Sequence, residues 1–295
     1  MKPAYLTDEQ RESFERDGYL HVENVLDSDE IAQYTDACDH LIDDFRAGDA
    51  KYLQTREKVV QNEALRPILT HSPTVPFIIH LLSPNIHLHT AAVIYKDPED
   101  EDHGPRNWHR DIGLTPDLGH SGQIRAGIKV CYCLTDFREM RSGITMFARG
   151  SHLLSEPLGI PKGSLDPPEM VELTPKAGDA ILFENRTFHS MAPNVSDRIA
   201  KVIIYGYSYR WMREDQRHLR LADAQVISAN PIEQQLLGGV PSEKPGLTTF
   251  SDHFINEWAI EHGLDSEEIY WDLRTMRKPT HSNNNFIYNF HAFKQ

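Results

Sequence analysis

The sequence predicts an α+β chain in which helices come first and a run of strands then closes as a double-sheet barrel. Three observations carry this expectation. Two capped helical stretches occupy the first 45 residues, the apolar period drops to two from Ile86 onward, and Gly, Pro and Asp clusters cut the chain beyond Ile86 into short strands. The 295 residues fit one domain, with a helical part over about 1–85, a β core over 86–211 and a C-terminal extension over 212–295.

In chain order, Thr7 followed three residues later by Gln10 is a capping box, and the helix it opens stops at Gly18. Tyr19-Leu20-His21-Val22 reads as a short strand. Asp27-Ser28 caps a second helix that runs on to Phe45. A shorter helix is expected from Ser72 to Leu82, where Pro73 and Pro76 suit a first turn. Strands follow at Ile86–Tyr95, Gln123–Leu134, Ile144–Phe147, Ala180–Phe183 and Ile199–Tyr209. The turn-rich stretches Asp97–Pro105 and Pro157–Pro168 are expected to act as lids. Beyond Trp211, Asn230 to Gly238 reads as a capped helix, and the remainder, through Trp258, Trp271 and Asn283-Asn284-Asn285, packs on the barrel or on a second copy in a homodimer.

A net charge of −14 sets the surface against phosphate backbones and anionic membranes, so neither nucleic acid nor membrane is expected as a partner. No apolar stretch is long enough to span a bilayer, and the polar start Met1-Lys2-Pro3 lacks a signal pattern, so the chain reads as cytoplasmic. Cys38, Cys131 and Cys133 are too few for a disulfide framework and read as reduced core residues.

The chemistry centres on Arg106-Asn107-Trp108-His109-Arg110-Asp111 and on Phe188-His189-Ser190. In an extended strand, side chains two apart share a face, so His109 and Asp111 can meet one ion from one strand while His189 arrives from another. Two imidazoles and one carboxylate on one side of a metal make the set that suits non-haem Fe(II) and leaves positions open. By itself His-x-Asp is weak, since 16 histidines supply about one such pair by chance.

Other motifs accompany it in order. They are Leu6-Thr7-Asp8-Glu9-Gln10 through Asp17-Gly18-Tyr19-Leu20, Tyr95-Lys96-Asp97-Pro98, Trp108-His109-Arg110-Asp111, Ser142-Gly143 to Gly150-Ser151-His152, Gly178-Asp179 to His189, Pro193-Asn194-Val195-Ser196-Asp197-Arg198, and Gln235-Leu236-Leu237-Gly238. From Leu6 to about Gly238 the chain resembles the phytanoyl-CoA dioxygenase family of Fe(II)- and 2-oxoglutarate-dependent oxygenases.

The resemblance implies a double-stranded β-helix, or cupin-like jelly roll, with flanking N-terminal helices and a helical or irregular C-terminal segment. It implies iron held by His109, Asp111 and His189 at the open end of that barrel. It also implies that 2-oxoglutarate and O2 are consumed, with release of succinate and CO2, as a C–H bond of a small-molecule or carrier-linked substrate is oxidised. Because Asp111 retains the carboxylate that halogenating relatives lack, hydroxylation, desaturation or cyclisation is implied.

The sequence departs from the family where an arginine receives the distal carboxylate of 2-oxoglutarate. Ala200 stands there, followed by Lys201. Alternation favours Arg198 as the substitute, about 6.6 Å away along a strand, with Lys201 next, Lys96 as a helper, and Arg125 or Arg210 in reserve. Met191 also replaces the family's small polar residue two after His189. Arg106, Trp108, Arg110 and Arg149 are candidates for substrate contact. His87, His89 and His103 read as ordinary polar positions, with a place at the mouth as the alternative for His103, and His152 as a turn residue, while Tyr205, Tyr207, Tyr209 and Trp211 suit sheet packing. Two other readings stay open: a metal-bearing jelly roll with isomerase or hydrolase activity, and a non-catalytic binding module that lacks the co-substrate site.

Overall fold

The computed structural model describes residues 6–212 and 230–238, apart from 45, 47–49, 101, 103, 105, 112–118 and 120–121. Most of the C-terminal extension, and the roles expected of His103 and Phe45, therefore lie outside the described residues.

Both opening caps form from the side chains that predict them. Thr7 and Gln10 exchange capping bonds at the head of α1 (Asp8–Asp17), and Asp27 and Glu30 do the same for α2 (Ser28–Asp43). Gly18 ends α1 in the left-handed conformation at φ 81°. Strand β1 (Tyr19–Val22) follows α1, and β2 (Tyr52–Thr55), a strand that periodicity did not pick out, follows α2. A 3-10 turn (Arg66–Thr70) and α3 (Val75–Leu81), shorter than expected and with Pro76 in its first turn, complete the helical part. None of the described helices is long and apolar enough to cross a membrane.

The β core runs through β3 (Ile86–Lys96), β4 (Gly127–Cys133), β5 (Thr145–Ala148), β6 (Met170–Glu172), β7 (Ala180–Glu184), β8 (His189–Met191) and β9 (Ala200–Tyr209), with α4 (Pro231–Leu236) beyond it. Two antiparallel sheets result, one in the order β1-β7-β4-β9-β3-β2 and one in the order β6-β5-β8. Strand β4 starts later than expected because its approach is used otherwise: the Ala126 and Gly127 amides both donate to Asn185 Oδ1, at 2.8 and 3.0 Å.

Alternation decides what each face of the large sheet does. Tyr132, Tyr205 and Tyr207 point at the helices, where their hydroxyls bond Thr74 Oγ1, Leu65 O and the carbonyls of Ile68 and Leu69. These tyrosines are therefore packing residues, as the stripe suggests. The opposite face looks into the barrel. Its half nearest β1 and β7 is filled, with Tyr19 stacked on Phe147 at 4.8 Å and Phe147 against Phe183 at 5.2 Å, beside the buried, free Cys131 and Cys133. The half nearest β9, β3 and β2 is left open as a cavity of about 640 Å³.

Candidate metal centre

His109 and His189 face each other across a single antiparallel bridge. The His109 amide donates to His189 O at 3.1 Å and the His189 amide to His109 O at 3.0 Å, and the ring centroids lie 4.3 Å apart. The stretch from His109 to Asp111 is thus a lone bridge rather than the regular strand that alternation suggested. A further backbone bond, from the Asp111 amide to Asn185 O at 3.1 Å, fixes the carboxylate beside the pair. Each ring is oriented in the same way. Nδ1 of His109 donates to Asn107 O at 2.8 Å and Nδ1 of His189 donates to Thr187 O at 2.9 Å, which leaves the Nε2 lone pair of each for an acceptor role.

One donor atom from each of His109, Asp111 and His189 falls within 4.8 Å of the others. His189 Nε2 stands 3.7 Å from Asp111 Oδ1. The charge states also favour a cation. Burial, opposed by Asp111, pushes the His189 imidazole down to about 4, so it is neutral at neutral pH. Burial raises Asp111, but His189, Lys129 and His109 outweigh it and hold the carboxyl below its usual range. Asp111 Oδ2 is buried without a hydrogen-bond partner, an unmet valence that a divalent ion fits. Lys129, from β4, donates to Asp111 Oδ1 at 2.5 Å.

The cavity reaches from this centre along β3. Of the cations proposed to receive a distal carboxylate, Lys96 lines it. Lys96 is the direct register partner of Ala200, and its Nζ donates to Ala192 O at 2.9 Å, with Glu99 at 3.9 Å. Arg198 and Lys201 are not among its lining residues. Arg198 is exposed beside Asp197, because it precedes β9 in a turn. Lys201 projects from the other face of β9, where it bonds Asp39 at 2.6 Å and lies over the Tyr95 ring. Arg125 is taken up by Glu15 and Glu184.

The profile of the Phytanoyl-CoA dioxygenase (PhyH) family matches residues 14–202, well over half of the sequence. The chain belongs to this family. Among solved structures, the PhyH chain is similar to HygX from Streptomyces hygroscopicus with nickel and 2-oxoglutarate bound, at 16% identity and a TM-score of 0.61 over 72% of this chain and 90% of that one. It is similar to the non-haem α-ketoglutarate-dependent epimerase SnoN of nogalamycin biosynthesis, at 22% identity and a TM-score of 0.53 over 68% and 80%. The carbocyclase SnoK of the same biosynthesis matches at 19% identity and a TM-score of 0.55 over 76% and 91%. At these identities the likeness speaks for the fold, a double-stranded β-helix. No curated protein matches the sequence. As a PhyH member the chain is an enzyme of the iron- and 2-oxoglutarate-dependent class.

Of the two stretches expected as lids, Asp97–Pro105 supplies Glu99, Asp102 and Gly104 to the cavity lining, whereas Pro157–Pro168 supplies none. Arg106 clamps Asp102 with two bonds, at 2.6 and 2.5 Å, and this guanidinium holds the Asp102 carboxyl down to about 2. Arg106 Nε also lies 3.3 Å from Asp166, to which Trp108 Nε1 donates at 3.1 Å, so the acidic stretch and the 157–168 stretch are joined at Asp166. Arg106 lines the cavity, but Arg110 turns away to Ser151 O and the Phe188 ring. Arg149 bonds Tyr19. His152 donates through Nε2 to Glu15 O at 2.9 Å and ties the turn to α1.

Two features escape the sequence reading. Lys129 looks there like one more strand residue, and only the β4–β7 pairing brings it to Asp111. The face Tyr52, Gln54 and Arg56 also lines the cavity, and a signal exists in its two-residue alternation.

Proposed function

We propose that this enzyme holds a ferrous ion through His109, Asp111 and His189, binds 2-oxoglutarate with its distal carboxylate on Lys96, and hydroxylates a C–H bond of a small molecule. The observation that carries the reading is the convergence of two imidazoles, each with Nδ1 committed to a carbonyl, and a carboxylate oxygen that lacks any partner. Iron with 2-oxoglutarate and O2 supplies the oxidising power, and the chain's own residues supply placement.

Lys96 fits the co-substrate role for three reasons. It is the register neighbour of the position where the family has its arginine, it is 12% exposed, and it points into the cavity beside Thr145 and Met191. A lysine meets a carboxylate as a point charge rather than a fork, and the backbone carbonyl of Ala192 steadies it. Ala200 is packed against Gly143, where an added methyl would come within 2.9 Å of the Ala200 side chain. The cavity's mixture of Arg56, Gln54, Asn107 and Glu99 with Ile94 and Ile204 supports a polar substrate with apolar parts. HygX has been seen with hygromycin B bound and SnoN with nogalamycin RO bound.

The test is anaerobic metal analysis and 2-oxoglutarate titration, followed by a search for substrate-dependent succinate with product analysis. Bound iron without 2-oxoglutarate affinity would overturn the reading in favour of a metal-bearing jelly roll of another activity. A rearranged rather than oxygenated product would keep the class and reject hydroxylation.

A further inference from the structure

Lys129 stands in the middle of β4, on the face that looks into the barrel. Its register partner on β9 is Gly206, and the partner of Gly206 on β3 is Thr90, so the three lie abreast. A methyl group at 206 would come within 2.6 Å of Thr90 Cγ2 and 3.1 Å of Lys129 Cγ. Glycine inside a strand weakens it and often marks a place where another group approaches closely. Here the bare backbone is the space in which the Lys129 stem lies, and from it the ammonium reaches Asp111 Oδ1 at 2.5 Å.

A carboxylate ligand has two oxygens, and an ion that takes both loses a coordination position. Three protein donors leave three positions, which a chelating 2-oxo acid and O2 fill completely. Oδ1, which lies 3.7 Å from His189 Nε2, is engaged by an ammonium, so Oδ2, the buried oxygen that has no hydrogen-bond partner, is the one left to meet an ion. The same ammonium adds positive charge next to the positions that a dianion must reach.

We propose that Lys129 is a positioning residue that keeps Asp111 a one-oxygen ligand and draws the dianionic 2-oxo acid to the metal, with Gly206 as the bare strand position that lets it do so. This rests on the reading of the centre as a metal and 2-oxoglutarate site. Its sign is unusual. A lysine beside a metal opposes the cation electrostatically while favouring the anion, so its removal should move the two affinities in different directions.

The experiment titrates the wild type, Lys129→Arg, Lys129→Met and Gly206→Ala with Co(II) and then with 2-oxoglutarate under argon. Calorimetry and the visible spectrum of the cobalt report binding, and circular dichroism reports folding. Lys129→Met is expected to bind Co(II) as tightly as wild type or more tightly, yet to bind 2-oxoglutarate at least about tenfold more weakly. Lys129→Arg should stay close to wild type, and Gly206→Ala should follow Lys129→Met in both measurements. If both affinities fall together, or if 2-oxoglutarate binding does not move in Lys129→Met, the proposal is overturned. Should Lys129→Met fail to fold, Lys129→Gln and Gly206→Ala carry the same criterion. A wild type that takes Co(II) but no 2-oxoglutarate overturns the oxygenase reading and this proposal with it, whereas the variants of a wild type that binds both bear on Lys129 alone.

Discussion

His109 is the most exposed of the three donors, and its ring is held by the backbone of Asn107 and by the bridge to His189 rather than by core packing. Replacing it with alanine should therefore abolish metal retention, measured after anaerobic purification, and leave the melting temperature of the metal-free protein nearly unchanged. Lys96→Ala should weaken 2-oxoglutarate binding by about tenfold or more, the value of a charge-assisted hydrogen bond, with metal binding preserved. Arg198→Ala should change neither, because that side chain is 42% exposed beside Asp197. Equal effects of the two substitutions would return the assignment to Arg198. At this scale the sequence is informative about ligands and poor about cations. His-x-Asp is weak alone but stands among motifs that accompany it in order, whereas the destination of a lysine depends on strand pairing. One residue of alternation sends Lys201 to Asp39, and a cross-strand neighbour makes Lys96 the partner of Ala200.

Elements near the metal centre are fastened by a few bonds that carry testable weight. Gly18, at the end of α1, lies so close to the turn before β8 that a methyl there would run into Thr187 Oγ1 and come within 2.5 Å of His152 Nδ1. Gly18→Ala adds left-handed backbone strain to that clash and should cost about 1–3 kcal/mol in urea unfolding. Glu184, fully buried at the end of β7, accepts from Arg125 and Arg186, each through Nε at 2.5 Å. Glu184→Gln removes the charge that both guanidinium groups face, although Arg125 keeps Glu15 and Arg186 keeps Gln123 O, and should destabilise by about 1–3 kcal/mol in the same measurement. The helices and long strands are readable because caps and periodicity are local. Strand β2, four residues long, and the bridge at His109 are not, because they exist only through their partners β3 and β8.

For the molecule as a whole, metal and co-substrate bind only the folded chain. At about a hundredfold excess over its dissociation constant a ligand adds about 2.7 kcal/mol, so Co(II) with 2-oxoglutarate should raise the melting temperature of the wild type and not that of His189→Ala. The Asp102–Arg106 pair has a pH signature of known sign. The Asp102 carboxyl is held down to about 2 beside Arg106, so its contribution is complete above the ordinary carboxylate range and is lost only as pH falls toward about 2. Proteolysis of the stretch around Asp102 and Arg106 should accordingly stay slow from neutral pH down to the ordinary carboxylate range and quicken as pH falls toward about 2, and Arg106→Gln should speed it throughout. The unequal filling of the barrel has a consequence of its own. Aromatic packing near β7 bears the structural load, and the void borders an edge strand that begins and ends in polar connections. New substrate preferences are therefore expected from rewriting Tyr52, Gln54 and Arg56, leaving His109, Asp111, His189 and the aromatic packing alone.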